Sequence, residues 1–223
     1  AAEVAFMAGV PLAWAILLLF HPGGDGTDIY GDLRDDVTPF LVVHIGMLVF
    51  IPLLAVVVLL LLRGIAGTAA RVSRIALAVF VVFYSAWEVL QGIANGVLAH
   101  YVNGLPQEDR ATGAGLVQDF AEHPLVREMG VFASIGTVAL IVALLTAGIA
   151  LRAERGAPLA VPVLLTIAGF LIAAHPPPYG PVGLVLFVGA VLLYVHYRGG
   201  ARGKAWAGRG STASPGEVIR RGG

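Results

Sequence analysis

The sequence contains no cysteine, and only 13% of its 223 residues are charged. Without cysteine the chain cannot form disulfides, thiolate-ligated metal sites, iron–sulfur clusters or a c-type haem attachment. It also has no phosphate-binding loop, no G-x-S-x-G nucleophile elbow and no H-E-x-x-H zinc motif. Since no motif names a reaction, the sequence leaves open whether the protein is an enzyme.

Apolar residues take the place of the missing charge, at 58% of the chain. A bilayer core of about 30 Å needs roughly 17–25 helical residues, and the sequence holds six apolar runs within or close to that length. The runs are Val4–Phe20, Pro39–Leu62, Ile75–Val102, Val131–Leu151, Pro158–Ala174 and Gly183–Tyr197. The sequence therefore predicts an all-α polytopic membrane protein, a bundle of six transmembrane helices over residues 1–198, with the lipid bilayer as its solvent. The first run lacks a basic segment and a small-residue cleavage site, so a retained helix is expected rather than a signal peptide.

The basic residues predict the orientation of these helices. Eleven of the fourteen lysines and arginines follow the second, fourth and sixth runs. The positive-inside rule then places both termini in the cytoplasm and the loops 21–38, 103–128 and 176–182 outside the cell membrane. Ten of the fourteen acids fall in these outer loops.

Residues 199–223 form a basic, glycine-rich tail without apolar periodicity. Such a composition predicts a disordered cytoplasmic segment. Nucleic acid is not an expected partner, because this short tail is the only basic stretch.

The third run carries polar side chains at helical spacing. Tyr84, Glu88, Gln91 and Asn95 lie 4, 3 and 4 residues apart, so their directions fall within about 60° on an α-helix. A carboxylate that faces lipid near the middle of a span would cost several kcal/mol. Glu88 is therefore expected to face the bundle, water or a partner. His44 on the second run lies at a depth similar to that of Asn95. These five residues are predicted to line one ligand-binding pocket that is open to the outside.

Histidines at the outer boundary form the second candidate site. His21, His100, His123 and His175 all map there, among many carboxylates, which suits a divalent cation such as zinc or copper. The first and fifth runs, which both point outward, each end in a His-Pro pair. A b-type haem is the weaker alternative, since His44 would have to pair with His100 or His175 at matching depth.

Gly92 and Gly96 stand in G-x-x-x-G spacing on the flank of the polar stripe. Small residues at this spacing allow helices to approach closely in lipid, either within the chain or between copies in a homo-oligomer.

Three functions stay open at this level. The leading one is binding or transport of a small molecule, ion or proton through the pocket on the second and third helices. The alternatives are a membrane-embedded enzyme or redox protein that uses a metal or haem, and a structural or assembly subunit whose stripe contacts a partner helix.

Overall fold

The computed structural model describes residues 2–23 and 27–210, with side chains up to residue 198. Within these residues the chain is helical and has no strand, which confirms the all-α class. A seven-residue π-helix, Glu88–Ala94, joins two α-helices into one continuous rod. The α-helices are α1 (Ala2–Leu18), α2 (Ile29–Leu33), α3 (Val37–Leu61), α4 (Thr68–Trp87), α5 (Asn95–Asn103), α6 (Arg110–Glu122), α7 (Val131–Arg155), α8 (Ala160–Ala173) and α9 (Tyr179–Gly210).

Four helices are long and apolar enough to cross a membrane, judged by length and composition. They are Val37–Leu61, Thr68–Asn103, Val131–Arg155 and Tyr179–Arg198. The other two apolar runs also form helices, but α1 has only 17 residues and α8 only 14. Membrane-compatible helices are thus confirmed, whereas six full spans are not.

The six apolar helices form a closed ring. Each packs against the helix that follows it along the chain, and α9 returns to pack against α1. The continuous core includes Trp14, Phe80, Leu144 and Phe187, all with side chains that are fully buried. Because the ring is closed, the ends of α1 and α8 and the start of α3 can meet at one end of the bundle, called here the histidine end.

Small residues allow the helices of the ring to come close. Gly136 of α7 lies against the backbone of Tyr84, where an added Cβ would stand 2.9 Å from the Tyr84 nitrogen. About two turns further along α7, the Ala143 carbonyl accepts a hydrogen bond from the buried Ser73 hydroxyl at 2.8 Å. Gly92 and Gly96 are buried against side chains of α3, so both glycines of the G-x-x-x-G pair serve a contact within the chain.

Arginines hold the opposite end of the bundle together. Arg74 donates to the carbonyls of Leu62 and Ile65 after α3, and Arg155 donates to the Gly64 carbonyl at 2.9 Å. These side chains bind carbonyl groups of the turn that follows α3.

Two short helices cover one side of the histidine end. The Ile29 amide of α2 donates to Gln118 of α6 at 3.0 Å, and the Tyr30 hydroxyl donates to Asn103 at 2.8 Å. Leu33, with neighbours from α3 and α5, closes a small apolar cluster beneath them.

The predicted disordered tail is only partly described. Helix α9 is described as far as Gly210, and the disorder of the tail stays a prediction. Residues 211–223 of the predicted tail lie outside the described part of the chain.

Candidate metal centre

Three histidines from three separate parts of the chain meet at the histidine end. His21, His44 and His175 each offer a ligand nitrogen, and these atoms lie within 4.8 Å of one another. The centroid of the His21 imidazole lies 5.0 Å from that of His44 and 5.1 Å from that of His175. We call this group the histidine cluster.

Two of these histidines owe their positions to the proline that follows each of them. A residue before proline is disfavoured in the α-helical conformation, so His21 and His175 leave the helices that precede them. α1 ends in a tight turn just before His21, in which the His21 amide donates to the Leu18 carbonyl at 3.0 Å. Because α1 and α8 are short, both segments after them reach the cluster instead of extending beyond the bundle.

His44 is fixed by its own helix. Its Nδ1 donates to the Phe40 carbonyl at 2.8 Å, which leaves Nε2 with a free lone pair. A ligating histidine commonly has its other ring nitrogen held by a carbonyl in this way. The same arrangement occurs at His21, whose Nδ1 lies 2.7 Å from the Pro22 carbonyl.

Glu88 lies beside the cluster, on the third apolar run, where α4 passes into the π-helix. Its side chain is 1% exposed, and its oxygens lie 3.8 Å from His44 Nε2 and 4.0 Å from His175 Nδ1. Among the described residues neither oxygen has a hydrogen-bond partner. A buried polar group without a partner costs about 1–3 kcal/mol, and more if it is charged, so its place beside the imidazoles requires an explanation.

A cavity of about 250 Å³ opens next to the cluster. All three histidines line it, and Asp32 and Glu128 bring carboxylates to the same cavity. Trp87 donates from its indole nitrogen to the Val126 carbonyl at 2.8 Å and thereby ties the loop before α7 to the cavity wall.

The polar stripe predicted on the third run surrounds this same site. Gln91 and Asn95 line the cavity, and Asn95 Nδ2 donates to the Gln91 carbonyl at 2.9 Å. The Tyr84 hydroxyl donates to the Ala173 carbonyl at 3.2 Å and lies 3.3 Å from His175 Nδ1. The structure thus brings Glu88, His44, Gln91, Asn95 and Tyr84 together around one place.

The four histidines predicted as metal ligands separate into two pairs. His21 and His175 enter the cluster, where His44 joins them. His100 and His123 are exposed, and neither belongs to the cluster: the His100 ring contacts Tyr101, and His123 Nδ1 accepts from the Leu125 amide at 3.3 Å.

Burial sets the protonation of the two histidines that lie outside the helices. Burial lowers the pKa of His21, and the hydrogen bond to the Pro22 carbonyl opposes this only in part. Burial also lowers the pKa of His175 well below the usual value, with further lowering by His21 and His44. Both imidazoles are therefore neutral at pH 7, which is the form that binds metals.

The cluster fits a small metal ion and does not fit haem. A tetrahedral ion with bonds of about 2.0–2.1 Å holds its ligand atoms roughly 3.3 Å apart, so the nitrogens have to close by no more than about 1.5 Å. A haem needs two opposed imidazoles with a porphyrin between them. Here the His44 and His175 rings lie at 85° with centroids 6.0 Å apart, and His21 occupies the adjoining space.

Sequence reasoning treated the polar pocket and the outer histidines as two sites, and the structure merges them. The signal that could have joined them is the repeated His-Pro pair after the first and fifth apolar runs, which are both predicted to point outward. Depth could not be judged from the sequence, because the runs around His21 and His175 extend to Phe20 and Ala174, beyond the ends of α1 and α8.

In comparisons with protein-family models, with curated proteins and with solved structures, no match was found for this chain. The geometry of the site is therefore the basis for assigning a function.

Proposed function

We propose that this chain is a six-helix membrane protein with both termini in the cytoplasm, and that it binds a divalent transition-metal ion in an outward-facing cavity. One observation carries the proposal: three histidine nitrogens, brought from residues 21, 44 and 175, lie within 4.8 Å of one another. Three neutral imidazoles at this spacing are the ligand set of many zinc and copper sites.

The arginine pattern supports the orientation. The end of the bundle opposite the cluster carries Arg63, Arg71, Arg74, Arg152 and Arg155. An excess of basic residues is typical of cytoplasmic loops, which puts the histidine end outside. In this topology α1 and α8 are short helices of the bundle, and the His-Pro segment after each lies outside the membrane-spanning segments, at the histidine end.

The charges at the cavity support a cation as ligand. Asp32 and Glu128 line it together with the three histidines, and most acids of the chain belong to the same side. Carboxylates around an apolar-walled opening raise the local concentration of cations. Uptake of an ion from outside is the process that this field favours.

A metal-dependent enzyme is the second candidate. Catalytic zinc sites keep three protein ligands and an open position, and the cavity borders the three histidines in a way that leaves such a position. Turnover of a substrate by the zinc-loaded protein, lost on chelation, would favour this candidate over binding alone.

The test is a metal titration of purified protein in detergent. After treatment with a chelator, the wild type is titrated with Zn²⁺ by calorimetry and with Co²⁺ by visible absorption. We expect one bound ion per chain, and loss of binding in His44→Ala and in His175→Ala. His100→Ala and His123→Ala serve as matched controls and should bind as the wild type does. A wild type without saturable binding, or controls that lose affinity as much as the cluster variants, would refute the proposal.

A further inference from the structure

Glu88 lies close to two of the three members of the histidine cluster. Its oxygens lie 3.8 Å from His44 and 4.0 Å from His175, whereas among the described residues no ion-pair contact within 4.0 Å joins it to His21. His44 and His175 therefore lie close both to the imidazole of His21 and to a buried carboxyl group. Neither oxygen of that carboxyl group has a hydrogen-bond partner in the described part of the chain.

We propose, resting on the metal site proposed above, that the cluster offers two overlapping positions for one divalent ion. The outer position has three imidazole ligands, from His21, His44 and His175. The inner position has the imidazoles of His44 and His175 and the carboxylate of Glu88. Because both positions use His44 and His175, only one of them is filled at a time.

The ligand sets define the class of ion. The outer set is neutral and contains only nitrogen, whereas the inner set adds one negative charge and an oxygen ligand. Two histidines with one carboxylate bind Zn²⁺ in several metalloenzymes and Fe²⁺ in others, so the inner position suits divalent first-row ions that accept both nitrogen and oxygen. A soft ion such as Cu⁺ prefers thiolate and thioether ligands, so a carboxylate oxygen suits it less well.

Charge explains why an ion would move inward. In a low-dielectric interior an unpaired double charge is expensive, and a carboxylate in contact offsets half of it. Exchange of one ligand, His21 for Glu88, transfers the ion while His44 and His175 stay bound. Glu88 begins the π-helix of the chain, and π-helical turns inside α-helices are frequent at functional sites.

The two positions predict an unusual pattern of variants. His21→Ala removes only the outer position, and Glu88→Gln removes only the inner one, so each single variant should keep Co²⁺ binding within about 10-fold of the wild type. The double variant should lose far more than the product of the single effects, about 100-fold or more, because no complete position is left. His44→Ala and His175→Ala should each abolish binding alone. Size-exclusion profiles and thermal unfolding without metal show which variants are folded.

X-ray absorption of the Zn²⁺-loaded single variants gives a reading that does not need the double variant. We expect two imidazoles with a carboxylate oxygen in His21→Ala, and three imidazoles in Glu88→Gln. Loss of all binding in folded His21→Ala would overturn the inner position, as would a spectrum of Zn²⁺-loaded His21→Ala that shows no carboxylate oxygen. Failure of the wild type to bind any ion would refute the proposed function itself, so the two failures are distinguishable.

Discussion

Gly92 lies directly beneath the imidazole of His44. A Cβ atom added at Gly92 would overlap the ring and stand 2.8 Å from the His44 Cβ. The neighbour cannot move freely, because His44 Nδ1 is held by the Phe40 carbonyl at 2.8 Å. The glycine therefore fixes where the Nε2 atom of His44 points.

The first prediction follows from this contact. Gly92→Ala should lower Zn²⁺ affinity by roughly 10–100-fold, the range found when the groups that orient a metal ligand are altered. Calorimetric titration measures the change. Gly9→Ala is the matched control, because an added Cβ at Gly9 meets no atom within 4 Å. Equal affinities for the two variants would contradict the role given to Gly92.

The second prediction concerns pH. The lowered pKa values of His21 and His175 mean that protons compete with the metal only below the ordinary histidine pKa of about 6.5. Zn²⁺ affinity should stay constant from about pH 7.5 to 6.5 and decline further down. A half-maximal loss of affinity at pH 6.5 or above would contradict burial as the controlling factor.

The same histidines determine a pH dependence of stability without metal. Their pKa values are lower in the folded chain than in the unfolded one, so the unfolded chain binds more protons between the two values. The stabilisation is fully present above about pH 6.5 and declines as the pH falls towards the folded pKa values. Thermal unfolding of metal-free protein at pH 7.5 and 5.5 tests this sign, and His21→Gln should reduce the difference.

The third prediction concerns Tyr84, whose hydroxyl lies 3.3 Å from His175 Nδ1 and donates to the Ala173 carbonyl. Tyr84→Phe removes a hydrogen bond worth about 1 kcal/mol and the hydroxyl that lies beside His175 Nδ1. We expect a loss in metal affinity of up to about 10-fold, in line with other groups that orient ligands. Tyr101→Phe alters an exposed tyrosine and should leave both affinity and stability unchanged.

The fourth prediction tests the topology. The chain has no cysteine, so a single introduced cysteine is the only site of thiol labelling. Gly115→Cys on α6 is exposed at the histidine end and should react with an impermeant reagent applied to whole cells. Ala66→Cys, exposed between α3 and α4, should react only after the membrane is opened. The reverse pattern would place the cavity in the cytoplasm.

Helix class and helix position could be predicted from the sequence, because each apolar run is long and its boundaries carry proline, glycine or arginine. Each of the six predicted runs corresponds to a helix. The agreement is close for the second run, predicted at Pro39–Leu62 and found at Val37–Leu61, and for the fourth, predicted at Val131–Leu151 and found at Val131–Arg155. The ends of α1 and α8 were placed too far along, since Phe20 and Ala174 are as apolar as the helical residues before them. Proline disfavours the α-helical conformation at His21 and His175, so neither helix continues through its His-Pro pair.

The polar stripe was predicted from a period of 3.6 residues, and the π-helix at Glu88–Ala94 changes that period locally. The four side chains still meet the site because Tyr84 and Glu88 reach the histidines while Gln91 and Asn95 reach the cavity. The merger of the two predicted sites depends on the closed ring, and contacts between distant helices leave no trace in the spacing of a single helix.

The contact between α1 and α9 has a consequence for the making of the protein. His21 follows α1, whereas His175 follows α8 more than 150 residues later in the chain. The proposed metal site is thus complete only once the ring has closed, and a chain interrupted after α7 holds His44 and Glu88 without a partner from α8. Metal loading should therefore report on completed insertion.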